Sequence, residues 1–370
     1  MLREAVFEAS LDYFLGPLRE FLADDSVTEI MVNGHDKIYV ERRGSLYETS
    51  ARFESPDALL SAVQNIAQWV GREISEHRPV LDARLPNGSR VHAIIPPAAK
   101  TGLYLTIRKF IRDLLTLDDL MRYGSLSPIA KEFLEIAVRL RKNILISGGT
   151  GTGKTSLLNA LSTAIPPEER VIVIEDTSEL KLRQPHCLYL EAQAGDSQAR
   201  GSVSVRQLFI SSLRMRPDRI IVGEVRSGEA LDMVQSMISG HAGSLSTVHA
   251  SHPRDSLIRL ETLALMSDIE IPQAIARAQV ASAIHLVVQL TRFTDDGSRR
   301  ITQIAEVNGL NEQHQYDVRD LFLYQMRGKD KEGRRVGELV PSGELPSFAA
   351  EPYQQGLDEQ VQLSKALWKA

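Results

Sequence analysis

The segment "ISGGTGTGKTSLLNAL" places the tightest constraint on what this chain can fold into. An apolar run precedes its glycines and an apolar-periodic run follows them, so the glycines join a predicted strand to a predicted helix. The octet "GGTGTGKT" matches the phosphate-loop pattern GxxxxGK[ST]. In that setting the glycines let backbone N–H groups turn towards phosphate oxygens, and the helix N-terminus adds the positive end of its dipole. The sequence therefore predicts a nucleotide site in an α/β domain.

The residues of this loop have separable tasks. Lys154 is placed to reach the β- and γ-phosphates, and the hydroxyl of Thr155 is placed to ligate Mg²⁺. ATP and Mg²⁺ are the predicted nucleotide and cofactor, although no pattern in the chain distinguishes adenine from guanine. The residues predicted to bind the nucleotide are Gly148, Gly149, Thr150, Gly151, Thr152, Gly153, Lys154, Thr155 and Ser156.

Further polar residues follow apolar strands downstream. Glu175 and Asp176 end "VIVIED", Glu224 follows "RIIVG", and His249 follows "LSTV". Ligands of open α/β sheets bind at the carboxyl ends of the strands, where these side chains are expected. A phosphate-loop hydrolase needs one carboxylate at the Mg²⁺ shell and another group that orients or deprotonates water. On residues alone, either glutamate could take either role, and simpler roles as a helix cap or a core histidine stay open.

The first third of the chain predicts a separate α+β domain over residues 1–110. Short alternating strands surround one amphipathic helix, which Ser55 caps and Gly71 ends. Asn87-Gly88 predicts a tight hairpin turn in which both residues adopt positive φ.

The remainder divides into three predicted parts. Residues 111–127 are expected to connect the domains through one short helix capped by Thr116. Residues 128–310 predict a phosphate-loop α/β domain with a mostly parallel sheet, because its strands are apolar at successive positions. Residues 311–370 are expected to form a C-terminal extension.

Composition limits the setting and the partners. The formal net charge is −5 and no segment combines aromatic with basic residues, which weighs against nucleic-acid binding. The chain has one cysteine, Cys187, and its acidic N-terminal segment does not have the pattern of a signal peptide. No apolar run approaches the ~20 residues that span a bilayer. A cytoplasmic protein is predicted, with any membrane contact made through partners.

The four strand-end segments, in this order, resemble the Walker A, aspartate-box, Walker B and histidine-box motifs of the type II/IV secretion ATPases. Within that family, "TEIMVNG", "DARLPNGSRVHAIIPP", "LTIRKF", "LRMRPDRIIVGEVR" and "GHAGSLSTVHA" look most like the Tad (Flp) pilus assembly ATPases, often called CpaF. The resemblance extends from about Val27 to Tyr353. It implies a RecA-like domain preceded by a smaller α+β, PAS-like domain.

The resemblance also implies residue roles. Glu224 matches the Walker B glutamate that activates or orients water, and Glu175 matches the aspartate-box acid on the Mg²⁺ side. His249 matches the histidine-box residue. Arg90 and Arg108 match N-terminal arginines that approach the γ-phosphate when the domains close. The residues alone are equally compatible with surface charges at these two positions.

The function implied is that of a homo-hexameric ATP-hydrolysing motor. It would drive Tad or type IV-like pilus assembly at an inner-membrane platform and lie at that membrane through its partners. Three alternatives remain open at this stage: a type IV secretion ATPase, a DNA translocase, and a nucleotide-gated scaffold with little hydrolysis.

Overall fold

The computed structural model describes residue 7 and residues 10–42, 44–110, 115–193 and 201–369. The chain divides into two units, Met1–Asp113 and Leu114–Ala370, and each has its own apolar core. No helix in the described ranges is long and apolar enough to cross a membrane.

The first unit is built on an antiparallel sheet of six strands in the order β3-β2-β1-β6-β5-β4. Its elements, after a 3-10 turn at Gly16–Leu18, are α1 (Arg19–Ala23), β1 (Val27–Asn33), β2 (Ile38–Arg42), β3 (Ser45–Glu48), α2 (Pro56–Trp69), β4 (Val80–Arg84), β5 (Arg90–Ile94) and β6 (Tyr104–Arg108). The predicted α+β character of this part is confirmed.

Local sequence signals explain two features of this unit. The Ser55 hydroxyl accepts the N–H of Ala58 at 3.1 Å and starts α2, and Gly71 follows the helix with φ +67°. The hairpin between β4 and β5 differs from its prediction, because only Gly88 has positive φ. The N–H of Gly88 bonds to the carbonyl of Leu85 and the Asn87 side chain accepts the N–H of Ser89. The loop is therefore one residue longer than a two-residue turn and leaves Asn87 unstrained.

The second unit contains a nine-stranded sheet in the order β15-β14-β13-β12-β7-β11-β10-β8-β9. Its elements are α3 (Leu117–Arg122), α4 (Pro128–Arg139), β7 (Ile144–Gly148), α5 (Lys154–Ser162), β8 (Val171–Glu175), β9 (Cys187–Glu191), α6 (Val205–Ser212), β10 (Arg219–Val222), α7 (Glu229–Ile238), β11 (Leu245–Val248), α8 (Pro253–Leu265), α9 (Gln273–Ala283), β12 (Leu286–Arg292), β13 (Arg299–Leu310), β14 (Tyr316–Lys329), β15 (Arg335–Pro341) and α10 (Glu351–Gln354), followed by a 3-10 turn at Leu357–Glu359.

The strands from β12 to β9 are parallel, and every residue of β7, β8, β10 and β11 is buried. Helices α4 and α5 contribute to the core on one face of the sheet, and α7, α8 and α9 to the core on the other. This two-sided cover is why the strands read as continuous apolar runs. The predicted mostly parallel sheet is confirmed, while β9, with no fully buried residue, had no such signal.

Two predicted boundaries do not coincide with structural ones. Helix α3, expected in a connection over 111–127, lies in the second unit, and Thr116 and Asp119 form its capping box. The sheet also continues past residue 310, because β13, β14 and β15 pair antiparallel in sequence from β12. Residues up to 341 therefore belong to the nine-stranded sheet rather than to an extension.

The C-terminal tail packs back onto α4. Trp368 is 1% exposed and stacks on Phe133 of that helix, with ring centroids 5.7 Å apart and an interplanar angle of 12°. Its indole N–H donates to Glu132 Oε1 at 3.0 Å, and the backbone N–H of Ser364 donates to the same oxygen at 2.6 Å. The last apolar patch of the chain is thus a component of the core beneath the sheet.

Candidate nucleotide site

The phosphate loop connects β7 to α5 in a conformation that depends on its glycines. Gly151 and Gly153 have φ of +69° and +96°, in the region that favours glycine. A Cβ on Gly148 would lie 2.5 Å from Thr152 Oγ1 and 2.9 Å from the carbonyl oxygen of Leu290 on β12. The loop is therefore held tightly between its own residues and the neighbouring strand.

Lys154, the first residue of α5, is largely buried with 8% exposure. Its ammonium group donates to the carbonyl oxygens of Gly148 at 3.0 Å and Gly149 at 3.1 Å. The same group lies 3.5 Å from Nδ1 of His249, the ring nitrogen that can accept from it when Nε2 carries the proton. These contacts hold a buried positive charge against the loop, within reach of a bound phosphate.

Glu224 and His249, predicted separately, lie in direct contact. His249 Nε2 is 2.7 Å from Glu224 Oε1, so this ring nitrogen is the donor. Arg226 donates to the other oxygen of Glu224 from Nε at 2.9 Å and Nη2 at 2.6 Å, and its Nη1 reaches Asp176 Oδ2 at 3.2 Å. Both carboxylate oxygens are thereby oriented. The sequence assigned no role to Arg226; its position two residues after Glu224 was the available signal.

Burial and the nearby Lys154 ammonium lower the pKa of His249, and these effects outweigh the opposing effect of Glu224. The imidazole is therefore neutral at pH 7. Its environment places it between a cation and an anion of the same site, so it can donate to Glu224 without carrying charge.

The pKa of His249 therefore depends on the charges of Lys154 and Glu224. Lys154→Met removes the neighbouring charge, so the pKa of His249 should rise, whereas Glu224→Gln should lower it further. NMR titration of the His249 ring in the nucleotide-free protein measures both shifts. Lys131→Met, which removes a lysine paired with Asp118, is the matched control and should leave the titration unchanged. Equal His249 titrations in all four proteins would contradict the contacts described.

Glu175 lies at the end of β8 and is held by the turn that follows the strand. It is 5% exposed, and its Oε1 accepts the backbone N–H groups of Glu179 at 2.9 Å and Leu180 at 3.0 Å. The carboxylate that meets the Thr155 hydroxyl is that of Glu179, at 3.3 Å. Sequence reasoning missed Glu179, whose only signal was its place four residues after the strand end. Glu175 as a metal ligand stays a prediction.

The position before Glu224, occupied by Gly223, has no room for a side chain. A Cβ at this position would lie 2.7 Å from Cγ of Glu175. The side chain of Glu175 therefore passes directly over the backbone of the neighbouring strand end. The Gly-Glu pair and Glu175 are parts of one packed unit.

The donor set around Thr155 suits Mg²⁺. The hydroxyl of Thr155 and the carboxylate of Glu179 are hard oxygen donors, the type that Mg²⁺ prefers. Within the part of the chain that the structure describes, no three His, Cys, Asp or Glu side chains are grouped to hold a metal ion. Mg²⁺ in nucleotide sites usually takes one or two protein ligands, with phosphates and water completing its shell. The residues present fit that mode of binding.

The two predicted N-terminal arginines lie side by side in the first unit. Arg90 on β5 is directly opposite Arg108 on β6, and Arg84 on β4 is opposite Arg90. The three side chains share one face of the sheet, and on the next strand, β1, Glu29 is opposite Arg108. Arg84 was not predicted, although its place at the other end of the same hairpin was a usable signal. A contribution of Arg90 and Arg108 to the nucleotide site stays a prediction.

A phosphate loop, an oriented strand-end glutamate and a histidine at the next strand end together define a phosphate-loop nucleotide-binding protein. The family model described as "Type II/IV secretion system protein" matches residues 14–340, and the chain belongs to this family. It is 37% identical over 321 residues to the type IV secretion system protein PtlH of Bordetella pertussis, covering 79% of this chain and 94% of that protein. It is 33% identical over 328 residues to the type IV secretion system protein VirB11 of Brucella suis, covering 81% and 90%.

The solved structures support the fold. The ATPase DotB of Yersinia pseudotuberculosis aligns with a TM-score of 0.59 over 79% of this chain and 78% of its own, at 19% identity. The predicted architecture, an α/β phosphate-loop domain preceded by a smaller α+β part, is therefore confirmed.

Proposed function

We propose that this chain hydrolyses ATP at the site formed by the phosphate loop, Glu224 and His249, and works as a homo-hexameric motor. The observation that carries the proposal is the contact chain from Lys154 to Nδ1 of His249 and from Nε2 of His249 to Glu224, with Arg226 orienting the same carboxylate. Two-sided orientation of a strand-end carboxylate beside a phosphate loop is what a group that positions water requires.

Each residue has a distinct role in this proposal. The Lys154 ammonium exchanges loop carbonyls for phosphate oxygens, and Glu224 orients water or accepts its proton. Neutral His249 donates to Glu224 and orients its carboxylate. Mg²⁺, bound through Thr155 and an acidic neighbour, would supply charge neutralisation to the phosphates. Arg90 and Arg108 of a closing domain would then add positive charge to the γ-phosphate, which couples hydrolysis to domain movement.

Two different observations bear on whether the motor serves a pilus or a secretion system. The sequence segments that resemble the Tad pilus assembly ATPases favour pilus assembly at inner-membrane platform proteins, with the motor lying on the cytoplasmic side. The second candidate is a type IV secretion motor, which the names of the relatives PtlH and VirB11 favour. Loss of surface fibres, rather than loss of protein or DNA export, in cells carrying Lys154→Ala would favour the first.

Lys154→Ala tests the proposed site in the purified full-length protein. Removing charge-assisted hydrogen bonds to phosphate should weaken ADP and ATP binding about tenfold to a hundredfold, since such bonds contribute about 1.5–3 kcal/mol. Calorimetric titration measures the binding, and phosphate release measures turnover. Lys131→Ala is the control, because that ammonium pairs with Asp118. Unchanged nucleotide affinity in Lys154→Ala would overturn the proposed site.

A further inference from the structure

Two arginines on the β12–β13 hairpin lie beside the phosphate loop. Leu290 on β12 is in register with Gly148, so the strand continues past the loop as far as Arg292. A Cβ added to Gly151 would lie 3.1 Å from Nη1 of Arg292, and one added to Gly153 would lie 3.9 Å from Cδ of Arg299. Both side chains therefore lie beside the two glycines whose positive φ shapes the loop.

The strand register places both arginines on the face of the sheet that carries α5. Arg292 is directly opposite Arg299, and the preceding pair on that face is Leu290 with Ile301. Leu290 and Ile301 pack in the same apolar core as the residues of α5. Arg292 and Arg299 extend that face to the mouth of the loop, where both are half-buried.

Arg292 and Arg299 are directly opposite each other beside the phosphate loop, whose backbone N–H groups and helix N-terminus suit an anion. Guanidinium binds phosphate through paired hydrogen bonds, so a phosphate chain held by the loop is the ligand that these two side chains suit. We propose that Arg292 and Arg299 bind the phosphate chain of the nucleotide from the side of the loop opposite Glu224. This proposal rests on the nucleotide site proposed above.

The tip of the β12–β13 hairpin, which carries the two arginines, is held by contacts with β14 and β15. Asp295 at its tip accepts hydrogen bonds from Arg335 Nε and Lys329 Nζ, each at 2.9 Å. These bonds hold the pKa of Asp295 below its usual range. The backbone N–H of Arg335 donates to Asp296 at 2.7 Å, and its guanidinium lies 4.3 Å above the Phe293 ring. A clamped hairpin keeps Arg292 and Arg299 in place before the nucleotide arrives, which lowers the entropic cost of binding.

The chain supplies a matched control at the next position. Arg300 lies on the other face of β13, where its Nη1 donates to the carbonyl of Tyr123 at 2.8 Å. It has the same charge as Arg299 and lies on the same strand, but its side chain faces away from the phosphate loop.

The test is calorimetric titration of the nucleotide-free full chain with ADP and with GDP. The double variant Arg292→Ala/Arg299→Ala should lose about tenfold or more in affinity for both nucleotides, and the equivalent lysine variants should lose less. Arg300→Ala should stay within about twofold of wild type, as expected for a removed surface charge. Thermal unfolding establishes that each variant is folded, and the single variants replace the double one if it is not.

Three outcomes would overturn the assignment. In the first, the folded arginine variants bind ADP with wild-type affinity while Lys154→Ala binds it more weakly. This result would support the proposed nucleotide site and remove the two arginines from it. Another is an equal loss in Arg300→Ala, which shows a general charge effect. The third is a loss for ADP alone, which assigns the arginines to the base. If Lys154→Ala also binds ADP normally, the proposed nucleotide site itself fails, and this result is distinguishable from the other three.

Discussion

Glu224→Gln should bind ATP with near wild-type affinity and hydrolyse it about 10²–10⁴-fold more slowly, the range for loss of a general base. The amide has the same size, so it can keep one contact with Arg226, but it cannot accept a proton from water. The contact with His249 at 2.7 Å should be lost, because the amide oxygen then faces Arg226 and the amide NH₂, which can only donate, faces the Nε2–H of His249. Phosphate release under saturating MgATP and calorimetric binding of ATP measure the two halves of this prediction.

Glu135→Gln is the control for Glu224→Gln. Glu135 is in an ion pair with Lys131 on α4, and its substitution should leave turnover unchanged. Full activity in Glu224→Gln would remove Glu224 from catalysis and leave Glu175 or Glu179 as the remaining candidates. Wild-type protein that binds ATP and releases no phosphate would instead support a nucleotide-gated scaffold.

Trp368→Ala should destabilise the second unit by about 3–5 kcal/mol, the usual cost of removing a fully buried aromatic side chain. The ring is 1% exposed and packs on Phe133 and Phe348, so its loss opens a cavity beneath α4. Urea unfolding measures the change. Because the chain has two units with separate cores, only the transition of the second unit should move.

Trp368→Phe separates packing from hydrogen bonding. Phenylalanine keeps a stacked ring but loses the indole donor to Glu132, whose Oε1 still accepts the N–H of Ser364. The loss should then be about 1–2 kcal/mol, made up of one hydrogen bond and a smaller ring. A Trp368→Ala protein as stable as wild type would show that the tail does not contribute to the core.

The parts of the fold that sequence predicted well are those with a local physical signal. The buried strands β7, β8, β10 and β11 are apolar except for short polar residues, Arg219 at the start of β10 and Glu175 at the end of β8. The phosphate loop has a sequence pattern that specifies its conformation. Strand ends in a parallel sheet meet at one edge, so the contact between Glu224 and His249 follows once the strands are identified. Caps such as Ser55 and Thr116 are likewise encoded within a few residues.

What sequence did not predict depends on contacts between distant segments. Glu179 meets Thr155 only because Glu175 holds the turn after β8 through two backbone N–H groups. Arg292 reaches Gly151 through the pairing of β12 with β7, across 141 positions of sequence (292 − 151). Trp368 packs against Phe133 from the other end of the second unit. Apart from the place of Glu179 four residues after the end of β8, none of these contacts has a local periodicity or spacing that could reveal it.

The measurement that tests the ring-motor proposal most directly is steady-state ATP turnover against protein concentration, with the oligomer mass determined on the same samples. Wild type should hydrolyse ATP only where a hexamer is present. Arg108→Ala should assemble equally but lose about 10³-fold or more in turnover, as for loss of an arginine finger. A monomer that hydrolyses ATP as fast as the assembled protein, or an Arg108→Ala protein with wild-type turnover, would contradict a site completed by the first unit within a ring.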